Sequence, residues 1–118
     1  MRSRALQIIL LAAAAVFETA CDPAFWLEGS VKSPTGALAE AEVTLSCSGD
    51  PRPLAHLTTG ALGGFSYHQI PGLSPECRVV ITKPGFRSSE VTLAEICHSH
   101  FGLSCTRARL DVELAPDK

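Results

Sequence analysis

Arg107-Ala108-Arg109-Leu110-Asp111-Val112-Glu113-Leu114 alternates charged and apolar residues without a break. Side chains of an extended strand point to opposite faces in turn. Ala108, Leu110, Val112 and Leu114 therefore share one face, and Arg107, Arg109, Asp111 and Glu113 share the other. One face is buried and one is wet, as in a sheet packed on a core from a single side. The charges on the wet face are expected to guard a sheet edge against pairing with another chain.

Upstream, the same pattern recurs in short runs separated by Gly, Pro, Ser and Asp, with no stretch of sustained helical period. Ser89 to Leu93 turns Val91 and Leu93 inward after Pro84-Gly85, and Cys77 to Thr82 holds Cys77, Val79 and Ile81 in phase after Pro71-Gly72. Phe65 to Ile70 follows Gly63-Gly64, with Phe65, Tyr67 and Gln69 on the expected core face. Ala55 to Thr59 is a weak strand beyond the loop Gly49-Asp50-Pro51-Arg52-Pro53, and Glu40 to Ser48 puts Val43, Leu45 and Cys47 together. Phe25 to Lys32 comes first and ends at Ser33-Pro34-Thr35-Gly36, where Pro presets one turn residue and Gly tolerates another. Seven short strands with turn signals every 8 to 12 residues or so predict an all-β chain folded as a seven-stranded antiparallel β-sandwich.

The N-terminus reads differently. Arg2 and Arg4 precede an apolar run from Ala5 to Phe17 broken only by Gln7, and Thr19-Ala20-Cys21 closes it. A charged start, a short apolar stretch and a small residue before the cut site make a secretory signal peptide. The run is too short to span a bilayer, which takes about 20 residues in a helix. Thr19-Ala20-Cys21 resembles the end of a bacterial lipoprotein signal, in which the cysteine sulfur is acylated and becomes the anchored first residue. Glu18 stands where that family usually has Leu or another aliphatic residue. Cleavage after Ala15, giving a soluble secreted protein, and an uncleaved anchor are the alternatives. Removing 20 of the 118 residues leaves a mature chain of 98 that starts at Cys21.

Five cysteines in an exported chain leave one over after pairing. Acylation of Cys21 accounts for it, and Cys47, Cys77, Cys97 and Cys105 remain as an even set in a compartment where disulfides persist. Four cysteines allow three connectivities. Strand phase favours Cys47 with Cys77, since both lie on apolar faces of their strands, and short separation favours Cys97 with Cys105. A single domain of this size is marginal, and two such staples add on the order of a few kcal/mol.

From Leu27 to about Leu114 the order of strands and glycines resembles the carboxypeptidase regulatory-like domain, a transthyretin-like sandwich. The matching residues are Gly29-Ser30-Val31, Gly36, Ala41-Glu42-Val43-Thr44-Leu45, Gly63-Gly64-Phe65-Ser66-Tyr67, Ile70-Pro71-Gly72, and Val79-Val80-Ile81 leading to Lys83-Pro84-Gly85-Phe86. Leu38-Ala39 stands where the family usually has Pro, and Arg78 where it usually has an aromatic residue. The resulting organisation is a signal peptide over 1–20, a lipid-anchored leader over 21–25 and a sandwich over 26–116. The resemblance implies a non-catalytic module, because members are mostly modules attached to enzymes, receptors and surface proteins. Trp26 is expected to seal the end of the core, with a place in the membrane interface as the other reading.

Processing removes Arg2, Arg4 and Glu18, so 8 of the 10 basic and 11 of the 12 acidic side chains remain, a net charge of −3. No basic cluster is visible, which argues against nucleic acid and anionic lipid as partners, both bound mainly through clustered Lys and Arg. Transthyretin-like sandwiches also carry the hydroxyisourate hydrolases, with paired histidines, an arginine and a C-terminal Tyr-Arg-Gly-Ser motif. This chain ends Leu114-Ala115-Pro116-Asp117-Lys118 instead. His56 and His68 have no triad partner by sequence signature, and Ser66 lies in no nucleophile elbow. The expectation is therefore a protein that is not an enzyme, with no catalytic residue and no cofactor.

Two binding alternatives stand beside it. Cys97, His98, His100 and Cys105 would make a compact zinc or copper site if the thiols stayed free. Carbohydrate binding would need exposed aromatic platforms, and exposure of Phe101 or Phe86 would favour it. The main expectation is a monomeric, lipid-anchored envelope module at the outer membrane or the periplasmic face of the inner membrane. It would serve protein interaction or structural support, with an envelope protein as its partner.

Overall fold

Phe25–Ser33 forms β1, in which Phe25, Leu27, Gly29, Val31 and Ser33 face inward while Trp26, Glu28 and Lys32 are exposed. The computed structural model describes residues 23–117, so the segment expected to direct export and Cys21, the residue expected to be acylated, lie outside the described residues. Along the chain follow β2 (Gly36–Ala37), β3 (Glu42–Ser46), β4 (Ala55–Thr58), β5 (Gly64–Gln69), β6 (Arg78–Thr82) and β7 (Ser89–Thr92). A single helical turn, α1 (Leu93–Ile96), then leads into β8 (Cys97–Phe101) and β9 (Ser104–Glu113).

The strands form two sheets packed as a sandwich. In the first, β1 lies between β9 and an edge shared by β5 and β2, and β8 flanks β9; the second runs β4-β3-β6-β7. The described residues thus hold nine strands rather than seven. The two additions are β2, a two-residue pairing of Gly36 and Ala37 with Ser33 and Lys32 after the first turn, and β8. Neither carries an alternating apolar pattern, so neither is legible as a strand.

The sandwich is also not wholly antiparallel, since β1 and β9 pair in parallel from Trp26↔Arg107 to Lys32↔Glu113. Alternation reports which face a residue occupies and says nothing about which strand lies beside it. This pairing places Arg107 and Ala108 of β9 between β1 and β8, so Arg107 covers the outer face of an interior stretch rather than an edge. Beyond Ala108, among the described residues, β9 pairs with β1 alone, and Arg109, Asp111 and Glu113 stand along an open edge.

Between the sheets, Phe25, Leu27 and Val31 of β1 and Ala108 and Leu110 of β9 meet Val43, Leu45, Val79 and Ile81 of the second sheet. Leu93 and Leu114 close the core. Full burial of each Val, Leu or Phe contributes about 1.5 to 3 kcal/mol against the entropy of ordering the chain. At Gly29 the packing leaves no room for a side chain, because an added Cβ would collide with the Leu110 carbonyl and lie 2.9 Å from the Phe65 ring.

Strand directions give the sandwich two distinct ends. At one end lie the start of β1, the end of β5 and the β8–β9 turn, joined by the pairs Phe25↔Gln69, Trp26↔Arg107 and Phe101↔Ser104. There the loop after β5 is tied to β9 by a two-way bond between Leu73 and Cys105, at 3.0 and 2.7 Å. The leader enters at this end. The opposite end holds the end of β1, where the Val31 N–H donates to the Gly63 carbonyl at 2.8 Å, and the loops around Lys83 and Gly85.

Candidate functional site

Trp26 stacks on His68 across the β1–β5 pair, with ring centroids 4.7 Å apart and planes inclined by 16°. Arg107 of β9 is its neighbour on the other side. The Trp26 side chain is therefore on the outer face of the five-stranded sheet and 48% exposed, not at the end of the core as expected. The reason is parity: Trp26 shares its phase with the exposed Glu28, while Phe25 and Leu27 take the buried positions.

Further along this face Ser66, Glu28 and Arg109 form a row, followed by Gly64, Ser30 and Asp111. The Asp111 carboxylate accepts hydrogen bonds from Arg109 Nε at 2.8 Å, Arg109 Nη2 at 3.2 Å and Ser30 Oγ at 2.8 Å. The Arg109 guanidinium, and then the Ser30 hydroxyl, hold this carboxyl below the usual aspartate range, and Arg109 is raised in turn. Both groups lie in solvent, so the pair organises the face without contributing much to stability.

Further apolar side chains stand exposed at the same end of the sandwich. Phe101 is 65% and Leu103 91% exposed, on the tight turn between β8 and β9. Gly102 there has φ of 61°, the left-handed value that the first central residue of a type II′ hairpin turn requires. Ile70, just after β5, is 67% exposed, whereas Phe86 packs partly against the core and offers no platform.

Cys47 and Cys77 are joined with Cα atoms 4.1 Å apart, one step beyond the Ser46↔Arg78 pair of β3 and β6. The Cys77 N–H donates to the Ser74 carbonyl at 3.1 Å and the Cys77 carbonyl accepts from Leu93 at 2.8 Å, so the two cysteines face each other as a close, non-hydrogen-bonded pair. Cys97 and Cys105 are joined with Cα atoms 6.1 Å apart and tie β8 to β9. That bond withdraws both sulfurs from the metal set proposed on sequence grounds. His98 and His100 remain as exposed side chains, and among the described residues no three His, Cys, Asp or Glu side chains converge as metal ligands.

His56 bonds Thr44 Oγ1 at 3.3 Å and approaches Glu42 at 3.7 Å on the surface of the second sheet. Ser66 stands opposite Glu28 on the other sheet. The structure does not bring these residues together. Beside the Cys47–Cys77 bond an open cleft of about 560 Å³ is lined by Ser48, Asp50, Glu76 and Arg78 among others. Its Asp50 accepts the Arg52 N–H at 3.0 Å and its Arg78 pairs with Glu90 at 3.2 Å, so both groups are already engaged.

No family model and no curated protein matches the chain. Solved structures do share its fold. The 3-chlorocatechol 1,2-dioxygenase of Rhodococcus opacus 1CP superposes with a TM-score of 0.54 at 11% identity, over 82% of this chain and 61% of that one. The dioxygenase domain of a dioxygenase carbohydrate-binding protein fusion from Streptomyces sp. SirexAA-E gives 0.56 at 15% identity, over 82% of each chain. A DUF3823 family protein from Parabacteroides merdae gives 0.52 at 18% identity, over 81% of this chain and 48% of that one. The chain thus spans less than two thirds of the chlorocatechol dioxygenase it resembles.

These likenesses are of fold alone, and they correct one expectation. The chain was expected not to be an enzyme because its sandwich resembles non-catalytic modules. The same sandwich occurs in catechol dioxygenases. The architecture therefore gives no ground for excluding catalysis.

Proposed function

We propose that the chain is a lipid-anchored β-sandwich module of the bacterial cell envelope, of the carboxypeptidase regulatory-like type, which serves protein interaction or structural support from an acylated Cys21. The observation that carries this reading is the junction of two features within a few residues. An export segment ends on Cys21, and β1 begins at Phe25 in a sandwich stapled by two disulfides. Disulfides of this kind persist in oxidising compartments and are rare in the cytosol, which supports an extracytoplasmic address.

Intact mass spectrometry of the protein recovered from its native envelope, with and without reduction and alkylation, tests the reading. The expected mass starts at acylated Cys21 and rises by four hydrogens on reduction. A mass starting at Val16, or four free thiols before reduction, would overturn it.

A second reading has one observation in its favour. The exposed Trp26–His68 stack and the exposed Phe101 supply aromatic surface of the kind that carbohydrate binding requires.

A further inference from the structure

Six large apolar side chains stand exposed among the described residues: Trp26, Leu54, Leu62, Ile70, Phe101 and Leu103. Their distribution is uneven. Trp26 opens β1, Ile70 follows β5, and Phe101 and Leu103 flank the β8–β9 turn, all at the end of the sandwich where the leader enters. Leu54 is near the same end of the second sheet, its N–H donating to the Leu45 carbonyl at 2.7 Å. Leu62 alone lies at the opposite end, in the loop that Gly63 fastens to Val31.

We infer that Trp26, Ile70, Phe101 and Leu103 form a membrane-contacting tip, which rests in the interfacial layer of the bilayer that carries the Cys21 lipid. The inference rests on acylation of Cys21 and adds an orientation to it. Five backbone steps separate Cys21 from Trp26, and at no more than about 3.6 Å per residue they reach about 18 Å. The leader end of the sandwich therefore stays at the membrane surface. An indole belongs there, since its apolar body and polar N–H suit the boundary between hydrocarbon and water.

Charge is compatible with this placement. From Ala61 to Pro75 and from Cys97 to Leu110 the sequence contains no carboxylate, and the cationic side chains it does contain are Arg107 and Arg109. The first sheet therefore brings no negative charge from these segments to an anionic leaflet, and brings Arg107 next to Trp26. Glu28 shares the face of Trp26 two residues on, and Arg109 is taken up by Asp111, so charge does not drive the placement and the apolar side chains carry it. A sugar is the less fitting occupant. Ile70 and Leu103 are aliphatic, and the nearby Gln69 amide is already committed, accepting from Tyr67 Oη at 2.7 Å and donating to the Pro71 carbonyl at 3.1 Å.

Trp26 is the sole tryptophan and serves as its own reporter. Full-length protein purified from its envelope is reconstituted into phosphatidylethanolamine–phosphatidylglycerol vesicles whose acyl chains carry bromine near the carbonyl or near the chain end. Blue-shifted Trp26 emission, quenched more by the shallow bromines than by the deep ones, is the expected result. Joint Phe101→Ser and Leu103→Ser substitution should weaken that quenching, and Leu62→Ser should leave it unchanged. Vesicle-bound, acylated protein whose Trp26 is open to aqueous acrylamide and untouched by brominated lipid overturns the tip while sparing the anchor. Protein without an acyl mass that fails to float with the vesicles overturns the anchor and the tip together. Emission that responds to envelope oligosaccharides but not to brominated lipid overturns the tip in favour of the sugar reading.

Discussion

Thr59 is a polar side chain buried where two loops meet. Its hydroxyl donates to the Leu38 carbonyl at 2.7 Å and accepts from the Ala41 N–H at 2.9 Å, while its own N–H donates to the Ala41 carbonyl at 2.9 Å. Valine has nearly the same shape but offers neither side-chain bond. Thr59→Val should therefore leave the buried Ala41 N–H without a partner and cost about 1 to 3 kcal/mol. In a thermal melt that amounts to a fall of roughly 4 to 8 °C per kcal/mol for a domain of this size. An unchanged midpoint would mean that water replaces the hydroxyl. Trp26 carries the opposite lesson about what single residues disclose. Its exposure was legible from its shared phase with Glu28, yet the bulk of an indole argued for the core, and parity won. Thr59 could not be read in this way, because its partners at Leu38 and Ala41 become neighbours only after the chain turns back on itself.

The strands divide along the same line between local pattern and long-range pairing. β3, β5, β6 and β9 follow their alternation closely, because each has one face on the core and one in water. β2 and β8 were not legible. β2 is a two-residue pairing. β8 presents Cys97-His98-Ser99-His100-Phe101, almost all of it exposed, and is held to β9 through register shifts and the Cys97–Cys105 bond rather than by a buried stripe. The parallel contact of β1 with β9 joins the two ends of the domain, which no local signal records. The two staples should also differ in strength. Cys47 and Cys77 are 30 residues apart, and Cys97 and Cys105 are 8 apart. Restriction of the unfolded chain then contributes about 3.5 kcal/mol for the first and about 2.5 kcal/mol for the second. Urea unfolding of the Cys47→Ala/Cys77→Ala pair and the Cys97→Ala/Cys105→Ala pair should give that order. The reverse order would show that fixing β8 on β9 in the native state outweighs loop length.

At the scale of the whole molecule the fold alone does not select a function, since one sandwich serves both catechol dioxygenases and a DUF3823 family protein. The distribution of its surfaces says more. One end carries the leader and most of the exposed apolar side chains, and the other carries the loops around Leu38, Gly63 and Gly85. If the apolar end meets the bilayer, the opposite loops face outward and are the surface available to an envelope partner. Hydrogen exchange of the full-length protein on vesicles, compared with the same protein in detergent-free lipid nanodiscs of neutral phosphatidylcholine, resolves the two ends in one experiment. Both membranes should slow exchange over residues 69–74 and 99–105, where Ile70, Phe101 and Leu103 enter the interface, and leave residues 60–64 and 83–87 open to exchange. Slower exchange over residues 69–74 and 99–105 on the anionic vesicles than on the neutral nanodiscs would mean that charge shares in seating the sandwich, and equal exchange at both ends on both membranes would overturn the tip.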